Sequence, residues 1–180
     1  MDDTIIKIHD KYFRKEISHE EIDLVIQSIA NKMNSELKDK KPLFLAVLNG
    51  AFMFSAELFK KLDFPCEISF VKLASYEGTK TTETVRQLFG FDEDIEGRTV
   101  VIVEDIIDTG LTMEHILEQM RVKKAAEVRI ATLLFKPDAF RGNYDIDYVG
   151  KEIPNDFIVG FGLDYNQNGR NYKDIYKVVQ

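Results

Sequence analysis

The sequence predicts an α/β fold with a mostly parallel central sheet flanked by helices, and three observations carry that prediction. Apolar runs at 42–48, 99–103 and 128–135 are nearly continuous, the pattern of strands buried on both faces. Segments with apolar residues at helical spacing stand between such runs. Turn residues such as Asn49, Gly50 and Gly110 mark the junctions.

The elements follow in order. A helix is expected over 18–33, because Ser18 and Glu21 form a capping-box pair and Ile22, Val25, Ile26, Ile29 and Met33 repeat at helical spacing. "PLFLAVL" (42–48) reads as a strand, "FSAELFKKL" (54–62) as a helix and "CEISFVKL" (66–73) as a second strand. The polar, threonine-rich "ASYEGTKTTETVRQ" (74–87) reads as a long exposed loop or a mobile hairpin. A turn at 96–98 leads into "TVVIV" (99–103), then a helix at 111–123 and a buried strand at 128–135. "FIVGF" (157–161) and "DIYKVV" (174–179) are short strand candidates. Repeats, low-complexity tracts and interdomain linkers are absent, so residues 1–180 are expected to form a single domain.

Composition narrows the function. With 44% hydrophobic and 31% charged residues in 180, the chain can bury a sizeable core. A net charge of -7 argues against a nucleic-acid face, and no run is long enough to span a membrane. The N-terminus lacks the basic flank and apolar stretch of a signal peptide, which predicts a cytoplasmic protein. One cysteine, Cys66, and three scattered histidines, His9, His19 and His115, argue against a structural zinc site. The expected partner is a small molecule, with a divalent cation if that molecule is anionic.

Three segments place unusual chemistry at the expected ligand edge of the sheet: "AVLNGAF", "VIVEDIIDTG" and "LLFKPD". In the second, Asp108, Thr109, Gly110, Leu111 and Thr112 lie between a strand and a helix, where free N–H groups and the helix dipole favour a phosphate. Gly110 permits close approach, and Thr109 and Thr112 add hydroxyl donors. Glu104 and Asp105, at the strand end, are acceptor-only groups suited to paired ribose hydroxyls. Alone, any of these reads equally as a helix cap or a solvated acid. Together they describe a sugar-phosphate site, without a Walker motif or a Gly-x-Gly-x-x-Gly fingerprint.

"VVIVEDIIDTGLTM" (100–113) resembles the phosphoribosyl-pyrophosphate motif of the phosphoribosyltransferases, in particular of the hypoxanthine (hypoxanthine-guanine) branch. "AVLNGAF", "ASYEG", "LLFKPD" and "FIVGFGLDYNQNGR" extend the likeness in order over most of the chain. The resemblance implies a type I phosphoribosyltransferase-like fold, with a small hood built from the terminal segments and a mobile lid at about 74–90 that contains Ser75 and Tyr76. Glu104 and Asp105 would hold the ribose hydroxyls, and Asp108 would be the general acid/base facing N7 of a purine. Residues 108–112 would bind the 5′-phosphate; Leu111, lysine in some relatives, would offer only its N–H. Leu48, Asn49 and Gly50, with a cis Leu48-Asn49 peptide, and Arg170 would meet the pyrophosphate; Asn49 replaces a lysine of some relatives, so a charged contact is lost. Lys136 would donate to the purine O6, Phe157 would stack on the ring, and the Ile158 carbonyl would accept from its edge, with Asp164 beside them. Glu104, Asp105 and Asp164 would help bind Mg2+.

The implied reaction joins phosphoribosyl pyrophosphate to hypoxanthine, and to guanine, releasing IMP or GMP and pyrophosphate, in a homodimer or homotetramer. Two other readings stay open on the residues alone: a regulator that keeps the sugar-phosphate site, and a sugar-phosphate enzyme or transferase acting on another base. Lys136 and the stretch 157–164 would decide the base.

Overall fold

The near-continuous apolar runs assemble into a six-stranded sheet. The computed structural model describes residues 4–77, 84–89 and 92–179. In chain order the strands and helices are β1 (Ile5–Ile8), β2 (Lys11–Ile17), α1 (His19–Glu36), β3 (Leu43–Leu48), α2 (Phe52–Phe59), β4 (Glu67–Glu77), β5 (Thr84–Phe89), β6 (Thr99–Ile107), α3 (Leu111–Val122), β7 (Glu127–Phe135), β8 (Tyr148–Glu152), β9 (Ile158–Val159) and β10 (Ile175–Val179). The large sheet runs β5-β4-β3-β6-β7-β8. Its five strands from β4 to β8 are parallel, and β5 is antiparallel to β4.

Side-chain alternation along the central strands divides the core into two layers. Phe44, Ala46, Val101 and Val103 face α1 and α2, packing on Ile22, Ile26, Met33, Phe54 and Leu58. Leu43, Leu45, Val47, Val100 and Ile102 face the other way, onto Met113, Ile116 and Met120 of α3. Each such large side chain taken out of water contributes ~1.5–3 kcal/mol, which is why the apolar period sets the layer order. The start of α1 is secured twice. Ser18 Oγ accepts the Glu21 N–H at 3.2 Å, and the buried Asp174, from the far end of the chain, accepts the His19 N–H at 2.7 Å.

The terminal segments form a second sheet, β1-β2-β10-β9, antiparallel throughout, around Ile8, Phe13, Val159 and Tyr176. This is the expected hood. The segment read as a loop or hairpin at 74–87 is a hairpin in its described part: Ser75 pairs with Arg86 and Tyr76 with Val85. Its tip, and the side chains of Ser75 and Tyr76, lie outside the described residues. No helix among the described residues is long and apolar enough to cross a membrane.

From β3 the chain builds outward to β4 and β5, then returns past β3 to place β6 on its other side. The order reverses between β3 and β6, so the loops leaving these two strands splay apart and leave a crevice between them. The segments that follow Leu48 and Ile107 border that crevice.

Candidate active site

The acids come first, and their placement corrects one expectation. Glu104 and Asp105 do not stand at the strand end but within β6, which continues to Ile107, and both are buried at 8% and 6% exposure. Burial pushes the Glu104 carboxyl well above the usual carboxylate range, and the neighbouring Asp105 charge pushes it further. Burial raises Asp105 too, against the pull of backbone N–H groups and of Arg170. One oxygen of Glu104, Oε2, is buried with no hydrogen-bond partner. A buried, unsatisfied carboxylate oxygen is costly, and a ligand that brings hydroxyl protons or positive charge relieves it.

Opposite Asp105 lies the turn after β3. The Leu48-Asn49 peptide is cis. A Cβ on Gly50 would run into the Asp105 carboxylate, and one on Gly162 into the Gly50 carbonyl. These two glycines let the β3 turn close onto the Asp105 carboxylate on one side and onto the hood-loop backbone on the other.

Beyond β6, Asp108, Thr109 and Gly110 bridge to α3. The residue capping α3 is Gly110 itself, in the left-handed region at φ 85° with no side-chain cap, so neither Asp108 nor Thr109 serves as the cap. The N–H groups of the first turn of α3 lack intrahelical partners, and at this end of the helix lies a small cavity of about 100 Å³ whose lining includes Glu104, Asp108, Thr109, Gly110 and Thr112. Leu111 opens the helix with its side chain half exposed and lines neither this cavity nor the larger one beside it. The cradle is braced from below: the Tyr144 hydroxyl donates to the Gly110 carbonyl and the Arg141 N–H to that of Thr109, both at 3.0 Å. Phe140 and Tyr144 occupy the space a side chain at 110 would need.

A larger cavity of about 390 Å³ adjoins it, lined by Asn49, Gly50, Asp105, Ile106, Asp108, Lys136, Phe157, Ile158, Leu163, Asp164 and Arg170. Lys136, just past β7, is buried with its ammonium 2.8 Å from Asp108 Oδ2, so its charge is compensated. Phe157 is 41% exposed, with Ile158 buried beside it. Arg170 donates to the Gly162 carbonyl at 2.7 Å and pairs with Asp164 at 2.7 Å, while the other Asp164 oxygen accepts the Gln167 N–H. A separate cavity of about 190 Å³ lies behind Ile158, between Ile17, Glu21, Lys151 and Lys177, and contains neither the acid pair nor the turn from Asp108 to Thr112.

Most of the residues singled out in the sequence therefore converge on two adjoining cavities at the β3/β6 crevice. The expected metal ligands do not form one cluster: no group of three His, Cys, Asp or Glu among the described residues could hold a metal ion by itself. Glu104 and Asp105 form one donor pair and Asp164 stands apart, tied to Arg170. Sequence reasoning missed Ile106 and Leu163, which line the larger cavity, and the brace of Phe140 and Tyr144. It also missed Tyr165, whose ring meets Phe157 edge to face. Period-2 alternation past Glu104 was the available signal for Ile106; nothing local marks the others.

The phosphoribosyl transferase domain profile matches residues 14–166. The hypoxanthine-guanine phosphoribosyltransferase of Streptococcus agalactiae serotype V is 43% identical over 155 residues, covering 86% of this chain and 86% of that protein. The Bacillus subtilis enzyme of the same name is 40% identical over 156 residues, 86% of this chain and 87% of its own length. Among solved structures, a hypoxanthine-guanine phosphoribosyltransferase from Bacillus anthracis, with HEPES in its active site, matches with a TM-score of 0.81 at 31% identity, over 92% of this chain and 96% of that one. A hypoxanthine phosphoribosyltransferase from Trypanosoma cruzi matches with a TM-score of 0.83 at 30% identity, over 97% and 95% of the two chains.

Proposed function

The chain belongs to the phosphoribosyltransferase family, and from that premise we propose that it transfers the 5-phosphoribosyl group of phosphoribosyl pyrophosphate to N9 of hypoxanthine and guanine. The products are IMP or GMP and pyrophosphate, and the role is purine salvage in the cytoplasm. The observation that carries the choice of base is the Lys136–Asp108 contact at 2.8 Å in a cavity walled by Phe157 and Ile158. A 6-oxopurine presents O6 and N7 side by side on one edge. An ammonium that only donates, next to a carboxylate that can take or give a proton, complements that edge.

Each residue then has a task. The cradle from Asp108 to Thr112 holds the 5′-phosphate through N–H groups and hydroxyls. Glu104 and Asp105 accept from the ribose hydroxyls and favour the positive, oxocarbenium-like character that develops at C1 as its bond to pyrophosphate breaks. The N9 lone pair forms the new bond to C1, and the N7 proton passes to Asp108. Arg170 and the backbone at Leu48, Asn49 and Gly50 face the departing diphosphate, Phe157 stacks on the purine, and the Ile158 carbonyl accepts from its N1–H edge.

Magnesium suits the donors present: Glu104 and Asp105 supply hard carboxylate oxygens, one of them unpartnered, and Asp164 supplies another further out. With no three-ligand cluster among the described residues, substrate oxygens and water would supply the remaining ligands. When bound, the ion neutralises negative charge on the diphosphate. The β4–β5 hairpin, with Ser75 and Tyr76, is the lid that keeps water from the activated sugar. A homodimer or homotetramer completes the proposal, supported by the exposed Phe52 of α2 and Phe70 of β4.

The test supplies magnesium and phosphoribosyl pyrophosphate with hypoxanthine, guanine, xanthine, adenine, uracil or orotate and measures pyrophosphate release. Adenine places an amino group against the Lys136 ammonium and an unprotonated N1 against the Ile158 carbonyl. Two such mismatches at ~1–3 kcal/mol each predict discrimination of roughly 10³-fold in kcat/KM. Efficient adenine turnover would sink the assignment.

A further inference from the structure

Phe157 is the ring proposed to stack on the base, yet it is 41% exposed and the strand that follows it, β9, is only Ile158–Val159. Its position is set by the rings behind it. Tyr165 meets it edge to face, with centroids 5.5 Å apart at 86°. Phe13, fully buried on β2, lies 5.9 Å from Phe157 and 6.3 Å from Tyr165. Tyr165 is in turn fixed from the turn between β1 and β2. Its hydroxyl donates to Asp10 Oδ1 at 2.7 Å, the His9 ring stands edge to face at 5.4 Å, and Lys11 Nζ lies 5.7 Å from its centroid. Reciprocal backbone hydrogen bonds between Tyr165 and Asn168 close the loop that carries it, and the Asn168 amide lies 3.0 Å from His9 Nε2. None of His9, Asp10 or Lys11 lines the purine cavity.

We propose that Tyr165, anchored by Asp10, is a positioning residue for Phe157, so that the N-terminal hairpin sets the affinity of the site for its base. The inference rests on the reading of Phe157 as the purine-stacking ring. A half-exposed phenylalanine without its edge contact exchanges among rotamers, and binding then has to order it. That cost falls on the base. The sugar diphosphate is held by the phosphate cradle, the Gly50 turn and Arg170.

Steady-state kinetics on a double-mutant cycle tests this. Tyr165→Leu is expected to raise the hypoxanthine KM about 5–10-fold, the scale of a lost edge-to-face pair together with its anchor. Tyr165→Phe, which keeps every ring and removes only the anchoring hydrogen bond, and Asp10→Ala, which removes that bond and the 3.9 Å contact with Lys11, should each raise it roughly 2–3-fold. The KM for phosphoribosyl pyrophosphate and kcat should stay within about twofold in each, and Tyr165→Leu on a Phe157→Leu background should add almost nothing. Equal effects of Tyr165→Leu in both backgrounds, or a matching rise in the sugar-diphosphate KM, would overturn the proposal. If Tyr165→Leu folds poorly, Tyr165→Phe and Asp10→Ala decide, and an unchanged hypoxanthine KM in both overturns it. Failure of the functional reading would look different: the unmodified chain would turn over no base. The Phe157 ring signals of the ligand-free chain, followed by NMR, then decide, since broadening in Asp10→Ala supports the anchor and an unchanged spectrum overturns it.

Discussion

The β6 edge and the wall proposed for the purine meet in one cavity but are assembled in different ways. The edge, from Glu104 to Thr112, is one stretch of chain on one strand, one turn and one helix start, with its acids buried and an oxygen unsatisfied. The wall takes Lys136 from the end of β7, Phe157 and Ile158 from the hood, and Asp164 and Arg170 from the loop beyond, with ion pairs already formed at Asp108, Asp164 and Arg170. An edge under electrostatic load before substrate arrives is suited to the chemical step. A wall with its charges already compensated is suited to selecting a base. Mutations on the two sides should therefore separate, the edge acting on turnover and the wall on base affinity.

Asp108 touches both sides and gives the largest expected effect. Asp108→Asn keeps the shape of the side chain and an acceptor for the Lys136 ammonium but cannot exchange the N7 proton. Turnover should fall by ~10² or more, the range for lost acid/base assistance, with the fold retained by circular dichroism. Near-normal kcat would remove Asp108 from that role and, with it, the claim that the edge governs chemistry.

Lys136→Ala probes the wall from the other side. A hydrogen bond from a charged donor contributes ~1.5–3 kcal/mol, so kcat/KM for hypoxanthine and guanine should fall about 10- to 100-fold. The KM for phosphoribosyl pyrophosphate should change much less. A comparable loss for both substrates would mean that the 2.8 Å pair with Asp108 mainly holds the edge in place, and the proposed division would blur.

The same contrast explains what could be read before the structure. The edge is local, so its motif named its own residues, and the Ser18–Glu21 pair placed the start of α1 at His19. The apolar runs at 42–48 and 128–135 became β3 and β7 because strands buried on both faces write themselves as continuous hydrophobicity. In the hood, "FIVGF" and "DIYKVV" marked β9 and β10, but the N-terminal strands wrote almost nothing of the kind. β1 is mostly exposed, and β2 buries only Phe13 and Ile17, four apart, a spacing that does not announce a strand. β8 is an outer strand that buries only Tyr148. Glu104 and Asp105 were placed at a strand end because charges seldom lie inside a buried strand, yet this strand runs on through them. Tyr165 and Asp10 are 155 residues apart, and no local pattern connects them.

The smallest expected effect concerns stability rather than rate. Burial and the Asp105 charge raise the Glu104 carboxyl well above its ordinary value. A carboxyl raised by folding supports the folded state fully below its unfolded pKa, and that support is lost as pH rises through the raised value. The ligand-free chain should therefore lose stability from this group as pH rises from the ordinary glutamate range toward the raised value. Glu104→Gln carries no charge to desolvate and should escape that loss. If the difference is about 1 kcal/mol, its Tm at neutral pH should exceed that of the unmodified chain by roughly 2–4 °C. The gap should close as pH falls below about 4.3, the ordinary glutamate value, because the position is then neutral in both chains, folded and unfolded. Asp164→Asn, the corresponding change on the wall, should bring no gain, since that carboxylate already has Arg170 at 2.7 Å. The two melting profiles, taken against pH without substrate, break the comparison if Glu104→Gln is less stable at neutral pH or if Asp164→Asn is stabilised to the same degree. A higher Tm in Glu104→Gln together with slower turnover would sharpen it, because the charge that weakens the empty protein would be the one that serves the transition state.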